Sequence, residues 1–167
     1  MLKLSEKGIK FFIENQHKSY NLGKYRLYDN LDGKIIQNYN QARGDICIGF
    51  GHKVTEKEKK NNLFLEGISE QEALEILKKD INIHESTIAR YIKVDLDEHQ
   101  YDSLFCFSFD YGEKIFSNKL FTNSINKKDF SMFLHFLDKS IVFGGKEIEY
   151  FKKKREREKK LFLYKEY

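Results

Sequence analysis

One amphipathic stretch near the middle of the chain constrains the fold more than any other part of the sequence. Apolar side chains and one histidine recur there at helical spacing and line one face over more than four turns: Ala73, Leu77, Ile81, His84 and Ile88. Ser69 followed by Glu72 has the spacing of a capping box, which marks the start of a helix. The pattern predicts a single long helix over about 69–92.

The residues before this helix follow a different pattern. Gly23, Gly33 and Gly44 separate short runs such as KYRLYDN, KIIQNY and DICIGF. Such runs between glycines are typical of strands, and hairpins are expected around the sequences NLDG and ARGD. The region therefore predicts a small antiparallel sheet, forming a β lobe over about 15–66.

Helical patterns occupy both ends of the chain. The sequence LSEKGIKFFIEN predicts a first helix capped by Ser5, and Gly112 is expected to end the apolar helix DEHQYDSLFCFSFDYG. FSNKLFTNSIN, KKDFSMFLHFLDKS and GGKEIEYFKKKREREKKLFLYKEY are interpreted as further helices. No segment resembles a linker. We therefore expect one α+β domain over 1–167, in which the long helix joins the β lobe to a helical lobe over about 95–167 plus the first helix.

Composition excludes several classes of protein. No apolar run approaches the roughly 18 residues of a membrane span, and the start MLKLSEKGIKFF lacks the features of a secretory signal. Two cysteines do not make a disulfide scaffold, and the five histidines are scattered without metal-ligand spacing. We expect no metal and no other cofactor. The net charge of +4 favours anionic surfaces slightly, without selecting among them.

The charged run KKKREREKK at 152–160 has two interpretations. It resembles a nucleic-acid-binding patch, but no base-stacking aromatic residues are interleaved with it. A solvent-facing helix surface is favoured, with ion pairs Lys152–Glu156 and Lys154–Glu158 at i,i+4 spacing. A nucleic-acid partner is therefore not expected.

The stretch GDICIGFGHKV predicts a strand that ends abruptly at two glycines. Side chains alternate along a strand, so Cys47 faces away from Ile46 and Ile48. Cys47 and His52 would point in opposite directions if the strand continued, which argues against a Cys–His nucleophilic pair. The glycines are expected where another backbone or a ligand comes close.

Carboxylates suggest a different chemistry. Glu14 follows three apolar residues at the end of the first helix, where apolar surroundings can raise the pKa of a general acid. Asp29, Asp32 and Asp45 lie in the β segment that follows. A carboxyl group on a helix end together with another on a sheet is the arrangement that glycoside hydrolysis requires.

Several of these segments together resemble the phage-type lysozymes, the endolysins of glycoside hydrolase family 24, and the resemblance covers nearly the whole chain. LSEKGIKFFIE resembles the family's opening helix with its catalytic Glu, LYDN its Tyr-x-Asp neighbourhood, and CIGFGHKV its Thr-Ile-Gly-Tyr-Gly-His strand. GISEQEALEILKKDI resembles the connecting helix, and HQYDSLFCFSFDYG, FSNKLFTNSINKKDF and KREREKKLF the segments that follow. The resemblance implies a mostly helical lysozyme-like fold with a cleft between its lobes.

The resemblance also implies a function. The family hydrolyses the β-1,4 bond between N-acetylmuramic acid and N-acetylglucosamine in peptidoglycan. Carried over to this sequence, Glu14 is the general acid, Asp29 is the second carboxylate, and Cys47 replaces a threonine that helps to hold water. His52 is implied to pair with Asp80. Implied substrate contacts are Gly51, Lys53, Phe109, Asp110 and Lys119.

The chain departs from the family pattern at informative positions. Asn15 replaces the usual Gly after Glu14, and Gln16 competes with Glu14 for the general-acid position. The segments Glu14–Tyr28 and Asp29–Cys47 are longer than is typical, which leaves Asp32 and Asp45 as rivals of Asp29. A thiol is also a weaker hydrogen-bond partner than a hydroxyl. A catalytically weak or inactive peptidoglycan-binding protein is therefore the alternative to a bacteriolytic muramidase.

The resemblance also implies partners, an oligomeric state and a location for the protein. Peptidoglycan glycan strands are the expected partner, and the protein is expected to be a monomer without stable membrane insertion. It would be made in the cytoplasm without a signal peptide and act on the cell wall after release by a holin or injection by a secretion system. An immunity protein is a further possible partner.

Overall fold

The computed structural model describes residues 3–17 and 19–167, and within them the chain forms two compact units. One unit combines the described residues up to Glu14 with Ile81–Tyr167, and the other consists of Asn15–Asp80. The long helix α3 (Glu70–Tyr91) contributes residues to both units. The single domain over 1–167 stays a prediction.

The unit Asn15–Asp80 contains short strands and one short helix. Its elements are β1 (Tyr20–Asn21), β2 (Lys24–Tyr25), β3 (Tyr28–Asp29), β4 (Ile46–Ile48), β5 (His52–Lys53) and α2 (Glu56–Lys60). β1 and β2 form a hairpin, while β3, β4 and β5 form a three-stranded antiparallel sheet in that order. Tyr28 is paired with Cys47, and Ile48 with His52. Ile46 and Ile48 belong to one apolar cluster with Leu27 and Ala73.

The two glycines after β4 are explained by a turn and by close packing. Gly49 and Gly51 adopt positive φ angles of 60° and 91°, a region that glycine enters without strain. A Cβ atom on Gly49 would also lie 3.2 Å from the Cβ atom of Ala73 on α3. The abrupt end of the strand therefore lets the chain reverse into β5 while β4 packs beside the helix.

The other unit is helical. In addition to its part of α3 it contains α1 (Glu6–Glu14), α4 (Glu98–Tyr111), α5 (Lys119–Asn126), α6 (Ser131–Lys139) and α7 (Glu149–Tyr164). α4 is buried along most of its length and packs against α7, which also packs against α6. α1 lies close to α4, since a Cβ atom on Gly8 would be only 2.5 Å from Cγ of Asp102. None of the helices in the described residues is both long and apolar enough to cross a membrane.

The helix ends agree with the predicted capping residues. Ser5 Oγ accepts the Gly8 backbone N–H at 2.9 Å, so Ser5 caps α1. Ser69 and Glu72 form the reciprocal capping-box hydrogen bonds before α3. α4 ends at Gly112, whose φ of 64° is outside the helical region. These predictions are confirmed.

Three local predictions are wrong. A hairpin of β6 (Val142–Phe143) and β7 (Lys146–Glu147) precedes α7, where a continuous helix was predicted. In the run KIIQNY only Ile35 makes an isolated bridge, to Tyr28. The sequence ARGD forms no hairpin either, because the backbone N–H groups of Arg43 and Gly44 instead donate to the Asp29 carboxylate.

Candidate active site

Glu14 is the last residue of α1, and its side chain is 49% exposed. The preceding residues Phe11 and Phe12 are buried, so the carboxylate is at the point where the helix leaves the apolar core. Its surroundings are not the purely apolar ones that the sequence suggested. Solvent and a cationic side chain both reach it.

That cation is Arg157 on α7, whose Nη2 is 3.5 Å from Oε2 of Glu14. The guanidinium also lies over the ring of Phe11, 4.9 Å from its centre, in a cation–π geometry. The sequence did not indicate Arg157 as a neighbour of Glu14, because the two residues are 143 positions apart and Arg157 lies inside a run interpreted as solvent-facing. No local signal in the sequence connects the two residues.

Gln16, the competitor for the general-acid position, has a different environment. Gln16 is 8% exposed and Asn15 is 6% exposed, so both side chains are buried just after the helix ends. A group that must donate a proton to a polymer has to be reached by it, and an amide has no carboxylic proton to give. Burial and chemistry therefore both favour Glu14.

Asp29 on β3 is 3% exposed and tightly held. Its Oδ1 accepts the backbone N–H groups of Leu31 at 2.9 Å and Gly44 at 3.2 Å, and its Oδ2 accepts that of Arg43 at 2.8 Å. The guanidinium of Arg43 is a weaker neighbour, with Nε 3.9 Å from Oδ2. Three donors on two oxygens fix the orientation of this carboxylate.

The two alternative candidates for the second carboxylate, Asp32 and Asp45, form ion pairs at the surface. Asp32 forms ion pairs with Arg43 at 2.9 Å and Lys34 at 3.5 Å. Asp45 is exposed and forms an ion pair of 2.7 Å with Lys53. Asp29 alone of the three belongs to a strand of the sheet that contains Cys47.

Cys47 occupies the central strand of this sheet and is 4% exposed. Its neighbours across the two ladders are Tyr28 on β3 and Lys53 on β5. Ile46 and Ile48 contribute to the apolar cluster of the unit, while Cys47 is outside that cluster, which agrees with the alternation along a strand. Its role beside Asp29 stays a prediction.

Phe109 lies within an aromatic group of the helical unit. Its ring is stacked on His84 with centres 4.4 Å apart and meets Phe12 edge-on at 4.6 Å. The ring is only partly buried. Lys119 is exposed at the first position of α5. Contacts of Phe109, Lys119, Lys53 and Gly51 with substrate stay predictions.

Asp110 belongs to a buried ionic cluster, defined here as Asp110, Lys154, Arg155 and Glu158. Its carboxylate accepts hydrogen bonds from Lys154 at 2.8 Å and from Arg155, which also pairs with Glu158. Burial opposes the charge of Asp110, but Lys154 and Arg155 outweigh it and lower the pKa of this carboxyl. The Asp110 carboxylate is thus hydrogen-bonded to cations of α7. A contact between Asp110 and a sugar stays a prediction.

The cluster corrects the interpretation of the charged run at 152–160. Lys154, Arg155 and Glu158 are at most 3% exposed, so they do not belong to a solvent-facing surface. Lys154 pairs with Asp110 on α4 rather than lying on an exposed face. With two of its cations buried, the run offers less charge to a nucleic acid than its composition suggests.

His52 pairs with Asp80, as the resemblance implied: Nδ1 of the ring is 2.9 Å from Oδ2 of Asp80. A second acid, Glu58, approaches Nε2 at 3.2 Å. The sequence signal for Glu58 is its place in a capping box with Thr55. Burial lowers the pKa of His52, but hydrogen bonds and charges from Asp80 and Glu58 outweigh that effect, so the pKa is raised above its usual value.

This raised pKa predicts a pH-dependent stability. A histidine whose pKa is higher in the folded state stabilises the fold fully below its unfolded pKa and loses that contribution as pH rises through the folded value. The difference in free energy of unfolding between the wild type and His52→Gln is therefore expected to be larger at pH 5.5 than at pH 8.5. Urea denaturation at both pH values measures it. A difference that stays constant or grows towards pH 8.5 would contradict the assignment, and Asp80→Asn should reduce the pH dependence.

Metal chemistry has no visible site in the described parts of the chain. No group of three or more His, Cys, Asp or Glu residues within 3–17 and 19–167 is arranged to hold an ion. Cys47 and Cys106 are both buried, and neither forms a disulfide.

Comparison with known proteins identifies the family. The model of the family described as "Phage lysozyme" matches residues 29–158, well over half of the sequence. This chain belongs to the phage lysozyme family. It is also 29% identical over 136 residues to the endolysin of Salmonella phage P22, covering 79% of this chain and 89% of that protein. The matched family range includes Asp29 and Cys47 and begins after Glu14.

Solved structures agree on the fold. The muramidase domain of SpmX from Asticaccaulis excentricus matches with a TM-score of 0.66 and 19% identity, covering 98% of this chain and 99% of that one. The endolysin from Escherichia coli O157:H7 phage FAHEc1 matches at 0.67 and 16%, covering 99% and 96%. A variant of the P22 lysozyme matches at 0.61 and 22%, covering 98% and 99%. The predicted lysozyme-like α+β fold is confirmed.

Proposed function

We propose that this member of the phage lysozyme family is a bacteriolytic muramidase that hydrolyses the β-1,4 bond between N-acetylmuramic acid and N-acetylglucosamine. Membership of the family supports cell-wall lysis. The observation that carries the assignment of the acid is the accessibility of Glu14, which ends α1 with its carboxylate half exposed. The other candidate, Gln16, is buried.

In the proposed mechanism Glu14 protonates the leaving glycosidic oxygen. The transition state of such a reaction resembles an oxocarbenium ion and requires a second carboxylate, which activates or positions water or stabilises the cation. Glu14 is free to act because its ion pair with Arg157 is exposed, and exposed pairs are worth only about 0–1 kcal/mol. The Glu14 carboxylate can therefore exchange this ion pair for a contact with the substrate at little cost.

We assign the second carboxylate to Asp29. A catalytic group must hold its orientation while the reaction proceeds, and three backbone N–H groups impose one on Asp29. Asp32 and Asp45 instead form ion pairs with exposed arginine and lysine side chains. Cys47, paired to Tyr28 next to Asp29 in the ladder, supports the position of the water.

Product analysis tests the bond that is cleaved. Purified peptidoglycan digested by the protein is expected to yield fragments with N-acetylmuramic acid at the new reducing end, identified by borohydride reduction and mass spectrometry. Fragments ending in reducing N-acetylglucosamine would instead indicate cleavage of the other glycosidic bond. The anomeric form of fresh products, followed by NMR, distinguishes retention from inversion.

Replacement of Cys47 tests its supporting role. Cys47→Thr is expected to retain or increase the rate of lysis, because a hydroxyl donates and accepts stronger hydrogen bonds than a thiol. The measurement is the loss of turbidity of permeabilised Gram-negative cells, with Cys106→Ser as a control for removal of the other buried thiol. Complete loss of activity in Cys47→Thr alone would mean that the sulfur itself is needed.

A second candidate function is binding of peptidoglycan without cleavage. It is favoured by Asn15 and Gln16 after Glu14 and by Cys47 in place of threonine. Under this alternative, the protein sediments with insoluble peptidoglycan but releases no soluble fragments. Release of fragments by the wild type would exclude it.

Access to the wall and substrate contacts complete the proposal. The protein acts on the cell wall as a monomer after release by a holin or delivery by a secretion system, and an immunity protein is a possible partner. Its net charge of +4 favours residence on an anionic envelope. Gly51, Lys53, Phe109, Asp110 and Lys119 are the proposed additional substrate contacts.

A further inference from the structure

His84 lies in the helical unit's part of α3 and makes a contact that plays no part in the mechanism above. The sequence placed it on the apolar face of the long helix, together with Leu77, Ile81 and Ile88. Leu77 and Ile88 are buried, with 4% and 1% exposure, whereas His84 is only partly buried. His84 is therefore at the edge of the core, where its ring can pack against a partly exposed neighbour.

That neighbour is Phe109 on α4, which is also partly buried. The centres of the two rings are 4.4 Å apart and their planes are inclined by 30°, which is a stacked arrangement. The ring of Phe105, about one turn earlier on α4, is farther away, with its centre 6.1 Å from that of His84. The imidazole thus covers a face of Phe109 in particular.

Phe109 also contacts the helix that carries the proposed general acid. Phe12 on α1 has its ring centre 4.6 Å from that of Phe109, and the two planes are inclined by 61°. Phe12 is fully buried and precedes Glu14 by two residues. Phe109 is therefore in contact with a buried ring near the acid and with the His84 ring at the edge of the core.

The two contacts restrict different motions of the Phe109 side chain. The edge-on contact with Phe12 limits where the ring lies, but rotation about the bond that joins a phenyl ring to its Cβ atom is soft. A flat ring stacked on the phenyl face opposes that rotation, which an aliphatic side chain does far less well. A substrate contact made by Phe109 depends on the orientation of its ring, so the His84 stack orients the ring before substrate binds.

We propose that His84 is a positioning residue for substrate binding: its imidazole fixes the plane of the Phe109 ring, and that ring contacts the glycan strand. The inference rests on the proposed function, in which Phe109 is a substrate contact. The stack engages a side chain that binds substrate rather than one that transfers a proton. Its effect is therefore expected in KM and not in kcat.

Steady-state kinetics on soluble, uncrosslinked glycan strands test this role. His84→Ala is expected to raise KM by about two- to tenfold, the range of one aromatic pair, and to leave kcat nearly unchanged. Thermal unfolding checks that the variant is folded. A lower kcat with unchanged KM would overturn the proposal, and so would wild-type values of both constants.

Two further replacements separate the ring of His84 from its nitrogen atoms. His84→Phe keeps a flat ring and is expected to retain a KM close to that of the wild type. His84→Gln keeps polar atoms without a ring and is expected to behave like His84→Ala. The reverse order, with His84→Gln close to the wild type and His84→Phe impaired, would mean that a hydrogen bond matters rather than the stack. These two variants decide the question even if His84→Ala does not fold.

A double-mutant cycle tests whether His84 acts through Phe109. Phe109→Ala is expected to raise KM, and adding His84→Ala to it is expected to cause little further change. Independent losses that multiply in the double variant would mean that His84 acts by another route, and would overturn the proposal.

The matched control is Tyr91→Leu on the same helix, which removes a stack on Phe116 with ring centres 5.5 Å apart. Tyr91 is partly buried, as His84 is. The control is expected to keep the wild-type KM. An equal rise of KM in Tyr91→Leu and His84→Ala would mean a general loosening of the helix and would also contradict the specific role of His84.

Binding without turnover separates this proposal from the proposed function. In the Glu14→Gln background, calorimetry with the same glycan strands is expected to show binding weakened by about two- to tenfold when His84→Ala is added. If the wild type releases no fragments from peptidoglycan, the muramidase assignment is wrong, while a weakening that depends on Phe109 would still support the role of His84. If fragments are released but no His84 variant changes binding, the enzyme stands and the positioning role is wrong.

Discussion

Replacing Glu14 by glutamine is expected to lower the rate of cell-wall lysis by about 100- to 10,000-fold, the range that a positioned general acid contributes. Glutamine has nearly the same shape but no proton to donate to the leaving oxygen. Because the side chain is 49% exposed and its ion pair with Arg157 is weak, the fold should be little affected. The measurement is turbidity loss of permeabilised Gram-negative cells, with thermal unfolding of both proteins as a check.

The matched control is Glu6→Gln in the first turn of the same helix, where the side chain is also exposed. This change removes the same charge and is expected to leave lysis nearly unchanged. Undiminished activity of Glu14→Gln would remove Glu14 from its assigned role. Equal losses in both variants would mean that the negative charge of the helix matters rather than a proton donor.

Replacing Arg155 by methionine is expected to reduce the free energy of unfolding by about 3–5 kcal/mol, the cost of removing one partner from a buried ion pair. Arg155 pairs with both Asp110 and Glu158, and the Glu158 side chain is fully buried. Without the guanidinium, only Lys154 remains to compensate two buried carboxylates. Methionine keeps much of the apolar stem, so packing against Phe107 is largely retained.

Urea denaturation followed by circular dichroism measures this loss. The control is Lys153→Met, two positions earlier on α7, whose side chain is 73% exposed and pairs with Glu149 at the surface. Lys153→Met is expected to change the free energy of unfolding by no more than about 1 kcal/mol. A loss of similar size in both variants would contradict a special role for the buried ionic cluster. If Arg155→Met does not fold, Arg155→Lys, which retains one charge, should fold with an intermediate stability.

Helices were the part of the fold that the sequence predicted best. The ends of α1, α3 and α4 depend on residues within one turn of each other, such as Ser5 with Gly8 or Ser69 with Glu72. Such signals are complete in a short window of sequence. The β6–β7 hairpin was missed although Gly144–Gly145 is a common two-residue turn, because the charged helix after it dominated the interpretation.

The residues of the candidate site also fall into two groups: those that the sequence could identify and those that it could not. Glu14, Asp29 and the His52–Asp80 pair could be named from residue types, order and resemblance. Arg157 and the cations that hold Asp110 could not, because their partners are 44 to 143 positions away. The same limit applied to the Asp29 carboxylate, whose donors include the backbone of Arg43 and Gly44, where a hairpin had been predicted.

The amino-acid sequence by itself determined the capped ends of α1, α3 and α4, the strand that ends at Gly49 and the identity of the candidate acids, because spacing, capping and backbone freedom act over a few residues. Tertiary structure alone decided which charges are buried, which acid is held rigidly and which remains exposed. Burial and ion pairing depend on segments that are distant in the chain and adjacent in space. A run such as KKKREREKK therefore has the same composition whether its cations face water or, like Lys154 and Arg155, the core.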